Sequence, residues 1–107
     1  MNILNELERT IADRSKADPN MSHTAKLLSG GRQGCAKKLG EEAVEAVIAG
    51  STGSRRELVH EAADVLYHLL VLLAANSVSL CDVLKELERR QGTSGIEEKQ
   101  RRAEDEV

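Results

Sequence analysis

The segment from residue 55 to residue 75 constrains the fold more than any other part of the chain. Drawn as a helix with about 100° per residue, it presents Leu, Val and Ala side chains in most directions. A helix that is apolar on nearly all sides belongs in a core and has to be enclosed by other elements. The chain has 107 residues and forms one small domain, whose other helices cannot easily cover such a rod. We therefore expect an all-α bundle that is completed by a second copy of the chain, in a homodimer.

Helical periodicity also dominates the rest of the chain. Apolar residues recur every three or four positions in the segments 3–16 and 35–49 and after Ser79. Ser22 is suited to cap a short additional helix, and Ser79 with Asp82 resembles a capping box at the start of the last one. No segment shows a clear strand pattern. The sequence therefore predicts an all-α fold with four to five helices.

Glycine-rich segments separate the predicted helices. Residues 30–34 are expected to form a flexible connection, and residues 50–54 are the clearest loop. Gly92 is expected to end the last helix. We therefore predict an all-α domain at residues 1–91 and a polar C-terminal tail at residues 92–107.

Composition and charge argue against several classes of protein. The chain has no Phe or Trp and a net charge of −3, so it lacks both stacking platforms and a positive field for nucleic acid. The apolar run 65–75 is interrupted by His68 and is shorter than the roughly 20 residues that span a bilayer. Cys35 and Cys81 are not spaced as a redox pair, which favours free thiols in a reducing compartment. We expect a cytoplasmic protein that binds neither nucleic acid nor membrane.

A narrow polar stripe runs along the apolar helix predicted at residues 55–75. Its members lie within about 60° of one another on a helical projection, and they are Glu57, Glu61, Asp64 and His68. The stripe either faces solvent or is buried. Neighbouring carboxylates that are buried repel each other unless a cation compensates them.

The preceding helix carries a matching acidic arc. It contains Glu41, Glu42 and Glu45, with Lys38 inside it. Taken alone, this arc is typical of a solvated face, on which Lys38 pairs with the carboxylates three and four residues later. The arc indicates a binding site only when it is considered together with the polar stripe of the next helix.

An antiparallel hairpin of these two helices would bring their carboxylates together. With the turn centred on Gly53, Glu45 lies opposite Glu61, and Glu42 lies opposite Asp64. Such a group would repel strongly unless it bound a divalent cation, and all-oxygen ligation favours Mg²⁺, or alternatively Mn²⁺. The sequence therefore predicts a metal site. Its expected ligands are Glu42, Glu45, Glu61 and Asp64, with Glu41 as a further candidate.

A carboxylate-bound Mg²⁺ with free coordination positions suits polyphosphate hydrolysis. The ion neutralises phosphate charge and lowers the pKa of a bound water, and a neighbouring carboxylate can accept the proton of that water. The predicted catalytic residues are Glu41, Glu42 and Lys38. Spacing does not decide which carboxylate is the base, and Glu41 is a candidate both for that role and for ligation of a second ion.

These motifs resemble a known group of enzymes. E-E-x-x-E at Glu41, Glu42 and Glu45, followed by E-x-x-D at Glu61 and Asp64, is similar to the all-α nucleotide pyrophosphohydrolases of the MazG-like superfamily. The flanking residues resemble, within it, the phosphoribosyl-ATP pyrophosphatase family. Those flanking residues are Ser22-x-Thr24, Lys37-Lys38-Leu39-Gly40 and Tyr67-His68. The resemblance extends from about residue 3 to residue 90.

The resemblance implies a MazG-like bundle that hydrolyses phosphoribosyl-ATP to phosphoribosyl-AMP and pyrophosphate, the second step of histidine biosynthesis. It also implies Mg²⁺ and a homodimer. The expected substrate-binding residues are Lys38, His68, Arg32 and Thr24. Lys38 could instead be a surface ion-pair partner, and His68 could be a core histidine satisfied by a neighbour. His23 departs from the family pattern, because many members have Tyr there.

Two alternative functions remain open at this level. A housekeeping pyrophosphohydrolase of the same superfamily would share the carboxylates and act on ordinary or damaged nucleoside triphosphates. A non-enzymatic helical dimerisation module would carry the same carboxylates as solvated faces. The two differ in metal dependence, because only a metal site makes thermal stability depend on Mg²⁺ or Mn²⁺.

Overall fold

The computed structural model describes residues 2–91, 99–100 and 102–104. Between residues 2 and 91 it contains α1 (Ile3–Arg14), α2 (His23–Ser29), α3 (Gly31–Thr52), α4 (Arg55–Ala75) and α5 (Leu80–Gln91). The described part of the chain forms no strand, so the predicted all-α class is confirmed. Gly92, the predicted end of the last helix, lies outside the described residues.

Side-chain caps explain where most of the helices begin. In α1, α2, α4 and α5 the residue before the helix accepts a hydrogen bond from a backbone N–H two or three residues later, at 2.8–3.2 Å. Each such bond satisfies an N–H group that has no partner inside the helix. The capping residues are Asn2, Ser22, Ser54 and Ser79. The predicted cap at Ser22 is thus confirmed, and Ser79 supplies the half of the predicted capping box in which its hydroxyl accepts from the Asp82 N–H.

Two predicted connections are wrong, because α3 is longer than its glycines indicate. It runs from Gly31 to Thr52, so that most of the predicted connection at 30–34 and most of the predicted loop at 50–54 are helical. A glycine weakens a helix by only about 1 kcal/mol relative to alanine. The helix also buries Cys35 and Ala49, and packing of this kind supplies most of the stability of helices in proteins. The left-handed backbone of Gly31, with φ of 73°, turns the chain sharply between α2 and α3.

The core lies around the C-terminal half of α4. Ile11 of α1, Cys35 of α3 and Val71 of α4 are almost completely buried, and Leu70 and Leu80 join them. The start of α5 is fixed to α1 because the Leu80 N–H donates to the Glu8 carboxylate at 2.7 Å. This packing joins α1, α3, α4 and α5 around one core.

The hairpin of α3 and α4 is the longest element of the fold and is only partly covered within one chain. The two helices are joined by Gly53 and Ser54 alone. Their exposed side chains include a set of large apolar residues: Val44, Val47, Ile48, Leu58, Val59 and Leu66. We call this set the apolar hairpin face.

By length and apolar composition alone, α4 could span a membrane. The shorter apolar run 65–75, which His68 interrupts, does not indicate such a helix. Core helices of soluble bundles meet the same criteria. Here α4 also carries the polar stripe of Glu57, Glu61, Asp64 and His68.

Replacement of Ile11 by alanine is expected to destabilise the fold by about 2–5 kcal/mol, because the side chain is only 1% exposed and its removal leaves a cavity. Ile3→Ala in the same helix is the matched control. Ile3 is 70% exposed, so its replacement should change the free energy of unfolding by less than about 0.5 kcal/mol. Urea denaturation at one protein concentration measures both. Equal losses would show that α1 does not anchor the core through Ile11.

Candidate active site

The hairpin brings three carboxylates from its two arms into one cluster. Glu42 and Glu45 lie one turn apart on α3, and Glu61 faces them from α4. One oxygen of each lies within 4.8 Å of the others. Glu42 is buried. Glu61 is half-buried, and its Oε2 is shielded from solvent without a hydrogen-bond partner among the described residues. We call these three residues the carboxylate cluster.

One ammonium group partly compensates the carboxylate cluster. Lys38 Nζ lies 3.1 Å from Glu42 Oε1 and 3.9 Å from Glu41 Oε2. The hydrogen bond from Lys38 lowers the pKa of Glu42, and the same bond raises the pKa of Lys38. No ion pair joins Glu45 to a cationic side chain between residues 2 and 91. The negative charge of Glu42, followed by that of Glu61, raises the pKa of Glu45.

The residues present fit a hard divalent cation. A buried carboxylate oxygen without a hydrogen-bond donor is costly, and Glu61 Oε2 is such an atom. The raised pKa of Glu45 shows that repulsion within the cluster is not fully relieved by Lys38. The donor set consists of oxygen only, which is the set that hard divalent ions prefer. The carboxylate cluster could therefore hold a metal ion.

Two other predicted ligands lie outside the carboxylate cluster. Asp64 Oδ2 lies 3.4 Å from His60 Nε2, and these two residues form a second possible metal-binding group with Glu61. Glu61 thus belongs to both groups. Glu41 is exposed and faces solvent beside Lys38. His60 was not predicted as a site residue, although its spacing of four residues from Asp64 is a detectable signal.

His68 and Tyr67 connect the carboxylate cluster to α2. His68 is buried, and burial lowers its pKa against the opposing effect of the Glu42 charge. Its ring meets the Tyr67 ring edge-on, with centroids 5.1 Å apart. The Tyr67 hydroxyl lies 2.6 Å from Thr24 Oγ1, and the His23 ring stacks on Tyr67 at 6.4 Å. The hydroxyl of Thr24 is therefore paired with Tyr67.

Arg32 is not placed beside the carboxylates. Its Nε donates to Asn76 Oδ1, and both residues line a separate cavity near the start of α3. Glu42 is ten residues further along the same helix, which corresponds to about 15 Å. Sequence alone could not place Arg32, because the start of α3 was expected to be a flexible connection.

Two clefts of opposite charge are lined by α3, one by residues before Glu42 and the other by residues after it. The first, between α2 and α3, has a volume of about 420 Å³. We call it the lysine cleft, and its charged and ring-bearing residues are His23, Lys26, Lys37, Lys38 and Glu41. The second lies between α3 and α4 with a volume of about 350 Å³. We call it the acidic cleft, and its carboxylates are Glu45, Glu57 and Glu61.

A helical hairpin whose two arms bring carboxylates together is the arrangement expected of an all-α nucleotide pyrophosphohydrolase. A family model described as phosphoribosyl-ATP pyrophosphohydrolase matches residues 4–91. The chain belongs to this family.

Curated relatives agree with the family match. A protein of Dinoroseobacter shibae is 62% identical over 99 residues, which are 92% of this chain and 97% of the relative. A protein of Roseobacter denitrificans is 64% identical and covers 92% of this chain and 94% of its own length. One from Cereibacter sphaeroides is 59% identical, with 92% and 96% covered. All three are named phosphoribosyl-ATP pyrophosphatase.

The bond between Thr24 and Tyr67 is expected to couple α2 to α4. Tyr67→Phe should destabilise the protein by about 1–3 kcal/mol, because it leaves the buried Thr24 hydroxyl without this partner. Thr24→Val and the double variant complete a double-mutant cycle, measured by urea denaturation. A coupling energy of about 1 kcal/mol is expected. Strictly additive losses would contradict a stabilising bond.

Proposed function

We propose that this chain hydrolyses phosphoribosyl-ATP to phosphoribosyl-AMP and pyrophosphate, the second step of histidine biosynthesis, in the cytoplasm. Family membership and the names of the relatives support the substrate. The observation that carries the chemistry is the carboxylate cluster with its unpartnered Glu61 Oε2. The catalytic domain at residues 1–91 and the tail at residues 92–107 stay a prediction.

The metal of this proposal is Mg²⁺, with Mn²⁺ as the alternative. Glu42, Glu45 and Glu61 would hold it, because their oxygens converge within 4.8 Å. Asp64 would add a ligand through its shared group with Glu61. When bound, the ion supplies neutralisation of polyphosphate charge and a lowered pKa of coordinated water.

The remaining roles are assigned to side chains beside the carboxylate cluster. Lys38 holds Glu42 in place through a charge-assisted hydrogen bond and presents positive charge to phosphate. Glu41 is exposed at the edge of the cluster and accepts the proton of the attacking water. The new P–O bond forms from that water as the anhydride bond between the α- and β-phosphates breaks.

The other predicted substrate-binding residues are not equally well supported by the geometry. His68 is buried close to Glu42, and burial lowers its pKa; in this proposal its imidazole donates a hydrogen bond to phosphate. The substrate-binding roles of Thr24 and Arg32 stay predictions, because the side chains of these residues are paired with Tyr67 and Asn76.

The proposal includes a homodimer formed through the apolar hairpin face. Val47 is 66% exposed and Val59 is 63% exposed, and apolar side chains grouped in this way are typical of a protein interface. Pairing two hairpins would enclose α4, the helix that is apolar on nearly all sides. A dimer of this kind would also border the acidic cleft, because Ile48 of the apolar hairpin face lines that cleft.

Val47→Glu is expected to convert the dimer into a monomer, because it introduces a charge into an apolar interface. Sedimentation velocity at micromolar concentration should give twice the mass of one chain for the unaltered protein and the mass of a single chain for the variant. Met21→Glu is the control, since Met21 is exposed outside the apolar hairpin face. A monomeric unaltered protein would contradict the proposed dimer.

Glu61→Gln is expected to abolish turnover while it leaves the fold intact. Pyrophosphate release from phosphoribosyl-ATP with Mg²⁺ should fall by more than about 100-fold, the upper range for loss of an outer-shell partner of a metal. Mg²⁺ should raise the thermal midpoint of the unaltered protein but not of the variant. Glu88→Gln, on the exposed surface of α5, is the matched control.

Three outcomes would contradict this proposal. Chelator-sensitive release from ordinary nucleoside triphosphates, with none from phosphoribosyl-ATP, would assign a housekeeping activity to the same cluster. Near-normal activity of Glu61→Gln would overturn the metal assignment. A protein that releases pyrophosphate from no substrate and ignores Mg²⁺ would be a structural module.

A further inference from the structure

We propose that the lysine cleft binds the phosphate of the N1-linked phosphoribosyl group, and that it thereby selects phosphoribosyl-ATP over ATP. This inference rests on the proposed function and deepens it. The phosphoribosyl group is the only part of the substrate that ATP lacks. A site that recognises its phosphate directly would therefore determine specificity, whereas the carboxylate cluster would serve either nucleotide.

The lysine cleft carries positive charge that is not used inside the fold. Lys26 lines it from α2 and Lys37 lines it from α3. Within the described residues neither of them takes part in an ion pair, whereas Lys38 is held by Glu42 at 3.1 Å. Two ammonium groups that face one space repel each other unless an anion lies between them. A phosphate dianion between two lysines is a strong, charge-assisted arrangement.

Position along α3 indicates which phosphate would occupy the lysine cleft. Lys37 precedes Glu45 by eight residues, a separation of about 12 Å along the helix. Glu42 lies nearer, five residues from Lys37, so the lysine cleft and the carboxylate cluster are neighbours along the helix. The reacting phosphates are joined directly to one another, whereas the phosphoribosyl phosphate is separated from the reacting bond by two ribose rings and the adenine ring. It is therefore the phosphate expected furthest from Glu45.

The two clefts divide the substrate by charge. The acidic cleft presents Glu45, Glu57 and Glu61, which repel an anion unless a metal ion lies between. The lysine cleft can bind phosphate without a metal. Lys38 and Glu41 border the lysine cleft, and Lys38 contacts Glu42 of the carboxylate cluster, so one extended nucleotide can occupy both sites.

The shape and lining of the lysine cleft suit a sugar phosphate. Its volume of about 420 Å³ lies within the range of about 300–1,000 Å³ that is usual for small-molecule sites. Leu27 provides an apolar surface and His23 a ring edge, beside the two lysines. The His23 ring is held by stacking on Tyr67.

The test compares three ligands in the unaltered protein, Lys26→Gln, Lys37→Gln and the double variant. Isothermal titration calorimetry in the presence of Mg²⁺ measures the Kd of phosphoribosyl-AMP, of AMP and of pyrophosphate. Loss of each lysine should raise the Kd of phosphoribosyl-AMP about tenfold, which is the effect of one lost hydrogen bond to a charged group. The Kd of AMP and of pyrophosphate should not change, because neither carries the phosphoribosyl phosphate.

Turnover supplies the second readout and the controls. The double variant should lose about 100-fold in kcat/KM for phosphoribosyl-ATP relative to ATP if the two losses add. The variants Lys26→Arg and Lys37→Arg keep the positive charge, so each should lose much less kcat/KM than the corresponding glutamine variant. Lys85→Gln, an equal change of charge on the exposed surface of α5, should alter no constant. Circular dichroism and the thermal midpoint establish that each variant is folded.

Each other result overturns the inference. A weaker Kd for pyrophosphate, with phosphoribosyl-AMP unchanged, would show that the lysines hold the leaving phosphates. Unchanged constants for all three ligands would show that Lys26 and Lys37 are surface charges only. Failure of the proposed function appears separately, as lack of turnover by the unaltered protein. The binding of phosphoribosyl-AMP still tests the lysine cleft in that case, because it needs no turnover.

Discussion

The two-residue connection between α3 and α4 determines the geometry on which the site depends. A side chain at Gly53 would place its Cβ 2.6 Å from Glu57 Oε2 and 2.8 Å from the Ala49 carbonyl oxygen. Only glycine lets the backbone at position 53 pass so close to Ala49. The next residue, Ser54, already caps α4. With so little slack, the two helices have one alignment, in which Glu45 and Glu61 meet.

That alignment concentrates negative charge where the fold offers little compensation. Lys38 lowers the pKa of Glu42, but Glu45 is left with carboxylate neighbours that raise its pKa. Repulsion of this kind destabilises the folded state without a ligand, and such local conflict is typical of functional sites. The buried core around Ile11 and Val71 consists of side chains other than these carboxylates, so its burial stabilises the fold whether or not a cation is bound.

Predictions from the sequence were correct where the local pattern of residues matched the tertiary structure. They were wrong at the start of α3, where the backbone of one glycine changes the direction of the chain. The bounds of α4 followed from its apolar pattern, and the approach of Glu45 to Glu61 followed from the hairpin turn. The glycines before Cys35 indicated a flexible connection, whereas Gly31 makes one sharp turn into a continuous helix. The lysine cleft, which Lys26 and Lys37 line from two helices, depends on that turn and could not be foreseen.

The position of Glu61 in two groups has a consequence for how the site fills. One group pairs it with Glu42 and Glu45, and the other with His60 and Asp64. Any cation that draws the Glu61 carboxylate towards one group alters the oxygen and the charge left for the other. Two cations bound at these groups would therefore be thermodynamically linked, and the change in affinity that the first ion imposed on the second would be returned in equal measure. Occupancy at this hairpin would then be a property of the pair of groups, as in a two-site cooperative binder.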